Sequence, residues 1–358
     1  KMSKSLGNSP DPLDLIATYG ADALRVGLLI IAPQGNDILF NEDNIEQGRN
    51  FMNKLWNSAR FVLMNLDDDL PCDISQVPDS HLDTTDRWIL SRLNHTIQQV
   101  DIAYSRYRMN EAVKLVYDFA WGDFCDWYIE FAKVRLYGND ADSRKTAQSV
   151  SVTVLKTIMK LLHPYAPFIT EEIWSKLNSD DEVTLIHSPW PVATENLIRE
   201  DIETDMQVIM DLTQAIHNVR IDLNVPPGKQ AALMIRGSEH MIAKVIANKD
   251  YLCRLARIGD FSAGESLEKP HHAATVVVHQ MEVFVPLEGL IDINDEIARL
   301  KKQIADMDGR LQAVNGKLQN ANFVSRAPHH VVEHEQIKQA KYAENLQKLQ
   351  ENLKSIEE

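Results

Sequence analysis

Residues 50–66 read NFMNKLWNSARFVLMNL, and the spacing inside this stretch predicts the helix around which the chain is organised. Phe51, Leu55, Ala59, Val62 and Leu66 recur every three or four residues and make one apolar stripe. A second stripe carries Asn50, Asn53, Lys54, Asn57 and Phe61, with Arg60 on its border. A ring flanked by amides and cations offers what unpaired bases need: a surface to stack on, hydrogen bonds for their edges and positive charge for phosphate. The competing reading places the helix inside a bundle, with Phe61 packed on a neighbour.

Size and composition bound the rest. A chain of 358 residues exceeds one simple core, so two or three domains are expected. No apolar run approaches the roughly 20 residues needed to span a bilayer, and no signal-peptide pattern opens the sequence. Cys72, Cys125 and Cys253 lie far apart without a CxxC pair, which argues against a zinc knuckle or a disulfide framework and for the reducing cytoplasm. The net charge of −15 argues against indiscriminate nucleic-acid binding while leaving room for a shaped RNA site with local cations. The first residue is Lys1, so the chain is expected to be a piece of a longer protein.

Outward from the central stretch, four parts are expected: residues 1–40, 41–178, 179–288 and 289–358. In the first, a polar loop precedes helices over 11–19 and 21–31. Residues 41–178 read as a helical bundle. Asn41 to Asp43 cap the helix that runs into the central stretch, and further helices cover 86–104, 110–120, 123–136 and 143–162. A short last helix, capped by Thr170, ends at 177. Tyr117, Phe119, Trp121, Phe124, Trp127, Tyr128 and Phe131 make two of these helices aromatic-rich. Residues 179–288 hold a loop, a long helix over 199–223 and a small α+β module with strands at 231–236, 274–279 and 281–287, separated by helical segments near 240–247 and 251–258. In the last part Ile297, Leu300, Ile304, Met307, Leu311, Val314 and Leu318 alternate spacings of 3 and 4, the seam of a coiled coil. A second seam, Tyr342, Leu346, Leu349, Leu353 and Ile356, follows a polar interruption and predicts an antiparallel hairpin. The alternative is a coiled coil between two chains. The fold class is therefore mainly α.

The sharpest motif is KMSKS at residues 1–5. Two lysines separated by small residues can close over a triphosphate and neutralise charge on departing pyrophosphate. His163, His271–His272 and His329–His330 lack companions at metal-ligand spacing, and Glu171–Glu172 stand at a helix start without a partner for acid–base chemistry.

KMSKSLGN followed by DALR at 22–25 and an all-helical domain resembles the C-terminal half of class I aminoacyl-tRNA synthetases. QGNDILF (34–40), GRNFMNKLWNSARFVLMN (48–65), FCDWYIE (124–130), LLHPYAPFITEEIW (161–174), NVPPGK (224–229) and NFVSRAP (322–328) are together similar to the valyl-tRNA synthetase branch, over essentially the whole chain. The resemblance implies that Lys4 contacts ATP, supported by Lys1 and the hydroxyls of Ser3 and Ser5. It implies an anticodon-binding face at Lys54, Asn57, Arg60 and Phe61, lined also by residues 127–133. It further implies a small α+β junction module and a coiled-coil tRNA arm with candidate phosphate contacts at Lys301, Lys302, Arg310, Lys317 and Arg326. The partners would be valine tRNA, with ATP, Mg²⁺ and valine handled by the parent enzyme. Its Rossmann core and editing domain are not in this sequence, so the chain alone should be inactive, with no bound cofactor and as a monomer. An isoleucyl- or leucyl-tRNA synthetase and a helical scaffold without an RNA ligand are the alternatives.

Overall fold

Asp11 accepts the amide of Leu13 and Pro12 fills the first turn, so helix α1 (Pro12–Tyr19) starts where its residues dictate. The computed structural model describes residues 10–32, 40–67, 74–178, 184–320, 323 and 328–357. The KMSKS loop, most of QGNDILF, Cys72 and Arg326 lie outside them. Gly20 ends α1 at a φ of 94° and opens α2 (Ala21–Ile30). Asn41 caps α3 (Glu42–Met64), the helix of the central stretch.

Helices α2 and α3 meet backbone to backbone. A Cβ on Gly48 would stand 2.4 Å from the Ala23 carbonyl oxygen, and one on Gly27 would stand 2.5 Å from that of Asn44. Gly48→Ala is therefore expected to cost about 2 kcal/mol, because overpacking outweighs the gain of up to ~1 kcal/mol in helix propensity. Urea unfolding checks this; an unchanged or raised midpoint would mean that the helices do not need the close approach.

The rest of the first unit is α4 (Thr84–Ser105), α5 (Met109–Asp118), α6 (Ile129–Leu136), α7 (Ala141–Leu162), α8 (Pro167–Leu177) and the start of α9 (Glu200–Asp222). Between α5 and α6 the chain winds as a π-helix, Phe119–Tyr128. The two separate aromatic-rich helices expected at 110–120 and 123–136 are thus one continuous helical run. The wide turn lets Phe119, Phe124 and Tyr128 all sink into the core at 2% exposure or less.

DALR ties α2 to the HPYAP turn. Arg25 donates to the carbonyls of Tyr165 (2.8 Å) and Pro164 (3.0 Å). Asp22 accepts the amides of Ile169 (2.7 Å) and Phe168 (3.4 Å). A carboxylate from a distant helix thus serves as cap for α8, whose own N-cap, Ala166, has no side-chain acceptor. Thr170 does not cap it: the residue is fully buried within α8, and its hydroxyl donates to the Ala166 carbonyl at 2.7 Å.

Asp83 caps α4 in a reciprocal capping box with Asp86. Asp86 is completely buried and is held by the Tyr128 hydroxyl (2.9 Å) and by Arg135, whose guanidinium also reaches Asp83 at 3.2 Å. Burial pushes the Asp86 carboxyl up to about 6, helped by repulsion from Asp83 and opposed by Arg135.

The chain divides into two compact units, Lys1–Met206 and Gln207–Glu358. The second contains β1 (Ala231–Arg236), α10 (Glu239–Ala247), α11 (Lys249–Ala256), β2 (Ile258–Gly264), β3 (Ala273–Val278) and β4 (Met281–Pro286). The sheet order is β2-β1-β4-β3, with β1 and β2 parallel and the other pairs antiparallel. Three strands were expected; β2 is the addition, paired with β1 through the crossover of α10 and α11. β3 and β4 are joined by His279 and Gln280 at φ 47° and 63°, the two positive angles a tight hairpin turn requires.

Two long helices complete this unit, α12 (Ile293–Gln319) and α13 (His329–Glu357). They pack on each other as an antiparallel hairpin. Asn315 meets Gln339 at 2.7 Å and Lys317 meets Glu335 at 3.4 Å near the turn, while Leu300 shares a core with Leu349 and Leu353 at the base. The seam read from the spacing is therefore closed within one chain. Its base is rooted in the apolar core beneath the sheet, with Val283, Val285 and Leu287.

Candidate nucleic-acid interface

The apolar stripe of α3 is buried as its spacing dictates, with Phe51 and Leu55 at 0% exposure, Ala59 at 1% and Val62 at 3%. Phe51 anchors the helix edge-on against Tyr117 at 4.7 Å and meets Trp121 at 6.3 Å. This anchoring fixes the rotation of α3 and turns Asn50, Asn53, Asn57 and Arg60 to solvent.

The two remaining residues of the face are held differently. Lys54 is half-buried, with its ammonium 3.9 Å from the centre of the Trp121 ring and ion-paired to Asp126 of the π-helix. Phe61 is half-buried, and Lys133 of α6 sits over its ring at 5.4 Å while pairing with Glu130. The π-helix and α6 therefore stand alongside the α3 face and contribute to it, with Lys133 beside Phe61. Trp127 instead stacks on the buried Phe131 at 5.9 Å.

Of the four residues expected to read an anticodon, Asn57 and Arg60 are exposed and Phe61 is open on part of its ring. The ammonium of Lys54 is already neutralised by Asp126. Arg60 makes no hydrogen bond or ion pair with a described residue. Periodicity missed two exposed side chains, Trp56 at 41% and Met64 at 75%. Trp56 lies one turn before Arg60, a spacing that could have signalled it. Cys125 lies beneath this face, and burial pushes its thiol up to about 11, so it is inert at neutral pH.

Chemically, this is a surface with several stackable rings and three exposed amides but, among the described residues, one uncommitted cation. Such a surface suits reading base edges rather than neutralising a phosphate backbone. The described residues contain no cluster of His, Cys, Asp or Glu able to hold a metal ion, and no described helix is long and apolar enough to cross a membrane.

On the arm, Lys301 and Lys302 are exposed. Arg310 pairs with Asp306 at 2.8 Å and Lys317 with Glu335 at 3.4 Å. Residues 289–358 hold ten Lys or Arg against eleven Asp or Glu, so almost all of the net −15 resides elsewhere.

Residues 86–235 match the family model described as the anticodon-binding domain of tRNA ligase, and residues 1–41 match that of the class I tRNA synthetases (I, L, M and V). Residues 292–357 match the valyl tRNA synthetase tRNA binding arm. A valine–tRNA ligase of Fusobacterium nucleatum is 40% identical over 364 aligned residues, covering 100% of this chain and 41% of that protein. One of Geobacillus stearothermophilus is 40% identical, covering 99% and 40%.

The chain belongs to the valyl-tRNA synthetase family.

It spans about two fifths of the length of the curated valine–tRNA ligases it matches, in their C-terminal part. The tRNA-binding-arm match coincides with α12 and α13, which is the family's distinguishing feature here. The anticodon-binding match begins at Asp86 and so does not include α3. Among solved structures, the ternary complex of Agrobacterium radiobacter K84 agnB2 LeuRS with tRNA and LeuAMS covers 56% of this chain and 23% of that one at 26% identity. Its TM-score is 0.44, too loose a likeness to carry an argument.

Proposed function

We propose that the exposed face of α3, with Lys133 and the π-helix beside it, reads the unpaired anticodon bases of a valine tRNA. The observation that carries this reading is the exposure of Asn50, Asn53, Asn57 and Arg60 beside the partly open Phe61 ring, on a helix whose opposite side is locked into the core. Stacking on Phe61 and Trp56 supplies sequence-tolerant affinity, and the amides supply base choice. Chemical probing of the anticodon nucleotides tests it. The chain should protect them in a valine tRNA, and Asn57→Ala with Arg60→Ala should abolish the protection. Protection that survives both changes would assign the contact to another face.

The hairpin of α12 and α13 is the second RNA contact in this reading. Removing residues 289–358 should weaken tRNA binding without altering preference for the anticodon; unchanged affinity would remove the arm from the interface. The parent enzyme, on this reading, joins valine to its tRNA through an ATP-derived adenylate in the cytoplasm. Lys1 and Lys4, with Ser3 and Ser5, suit the phosphates of Mg²⁺-bound ATP, supplying point charges and hydroxyls within a five-residue span. Lys4→Ala in the full-length parent should slow adenylate formation far more than it weakens tRNA binding, and equal losses in both would refute that role.

A further inference from the structure

Two guanidinium groups meet at the turn after α9, and no described carboxylate lines the cleft between them. Arg220, in the last turn of α9, is 8% exposed. Its Nη2 donates to the carbonyls of Lys229 (2.6 Å) and Pro226 (3.3 Å), while its buried Nη1 has no acceptor. Arg257 closes α11 in the left-handed conformation, at φ 55°, where glycine or asparagine is the usual occupant, and its Nη1 donates to the Pro227 carbonyl. Asn224, at φ 50°, Gln214 and His217 complete a concave site of about 600 Å³. The Nε2 of His217 faces the Leu255 carbonyl at 3.1 Å, so it carries the ring proton.

This arrangement runs against the chain's composition. The sequence holds 52 acidic residues, and the other buried arginine among the described residues, Arg135, is flanked by two of them. Arg220 has none at hand among the described residues; burial and the neighbouring Arg257 both press its guanidinium downward. A buried cation without an anionic partner is costly; the exposed Arg257 guanidinium, which gives only its Nη1 to Pro227, is the fork a phosphate can reach, and Arg220 adds its charge from beneath. We propose that the Arg220–Arg257 cleft binds a phosphate group, presented by an RNA backbone. The RNA source rests on the tRNA reading above, whereas the phosphate site itself does not. It also supplies a cation-rich contact that the base-reading face of α3 lacks.

The whole 358-residue chain serves for the test. Arg257→Asn removes the guanidinium and keeps a residue that tolerates positive φ; Arg257→Lys keeps the charge. In equilibrium dialysis the unaltered chain should bind inorganic phosphate, Arg257→Asn should bind it about tenfold more weakly, and Arg257→Lys should fall between them. For tRNA, Arg257→Asn should lower the slope of log affinity against log salt by about one, equally for any anticodon. Loss of phosphate binding with an unchanged RNA slope upholds the site and makes free phosphate its ligand. A reduced slope without measurable free-phosphate binding upholds the RNA source. If Arg257→Asn changes neither, and only lowers the unfolding midpoint in phosphate-free buffer, the arginines are structural and the proposal is overturned. Should the unaltered chain bind no tRNA, the dialysis result still decides the site, so the two readings fail separately.

Discussion

Replacing Arg135 with methionine should lower the unfolding free energy by about 3–5 kcal/mol at neutral pH, the cost of leaving a buried carboxylate without its cation. Asp86 is fully buried, and Arg135 is the cation that touches it. The loss should depend on pH in a definite direction. Burial already raises the Asp86 carboxyl from 3.8 to about 6, so in the folded state it takes up a proton more readily than in the unfolded chain. Its contribution to stability is therefore complete below about 4 and declines as pH rises through about 6. Without Arg135 the carboxyl would move higher still. Near pH 5 it would be neutral, needing no cation, whereas near pH 8 it would be a buried bare charge. Urea unfolding of the variant and the unaltered chain across this range should show a difference that widens as pH rises. Adding Asp86→Asn to the variant should recover part of the loss at the alkaline end. A difference independent of pH would mean that Arg135 acts through packing, not charge.

How much of this was legible follows from how far apart the determining residues lie. The apolar seam of α12 was readable because its spacing of 3 and 4 is a local property, and Leu300 and Val314 sit buried where that spacing puts them. The stripe of α3 was readable for the same reason. β2 was missed because IGDFSAG carries two glycines and begins directly after a helix that ends on Arg257, so no run of β-branched residues announces it. The π-helix was missed because an α period cannot reveal an extra residue per turn. The state of Lys54 was beyond any pattern: its neutralising partner, Asp126, is 72 positions away, on the π-helix. Pattern alone also set Asn50, Asn53, Asn57 and Arg60 on one side, but which side was open needed the packing of Phe51 against Tyr117.

Phe61→Ala should weaken binding of a valine tRNA by about 10- to 100-fold, in line with ~1–3 kcal/mol per stacked base. Arg60→Ala should lose less, because an exposed guanidinium contributes mainly through screened charge. Lys133→Gln should fall between them, since it leaves the Phe61 ring in place and removes the cation above it. The pattern matters more than the size: losses on the α3 face should depend on the anticodon, and losses on the arm or at Arg257 should not.

The most direct measurement is therefore a ratio. The affinity of the chain for a valine tRNA, divided by its affinity for the same tRNA with the anticodon replaced, should be well above one at fixed salt. In Phe61→Ala combined with Asn57→Ala the ratio should collapse towards one, with the unfolding midpoint unchanged. A ratio of one in the unaltered chain, or one that survives both substitutions, would contradict the claim that α3 reads bases.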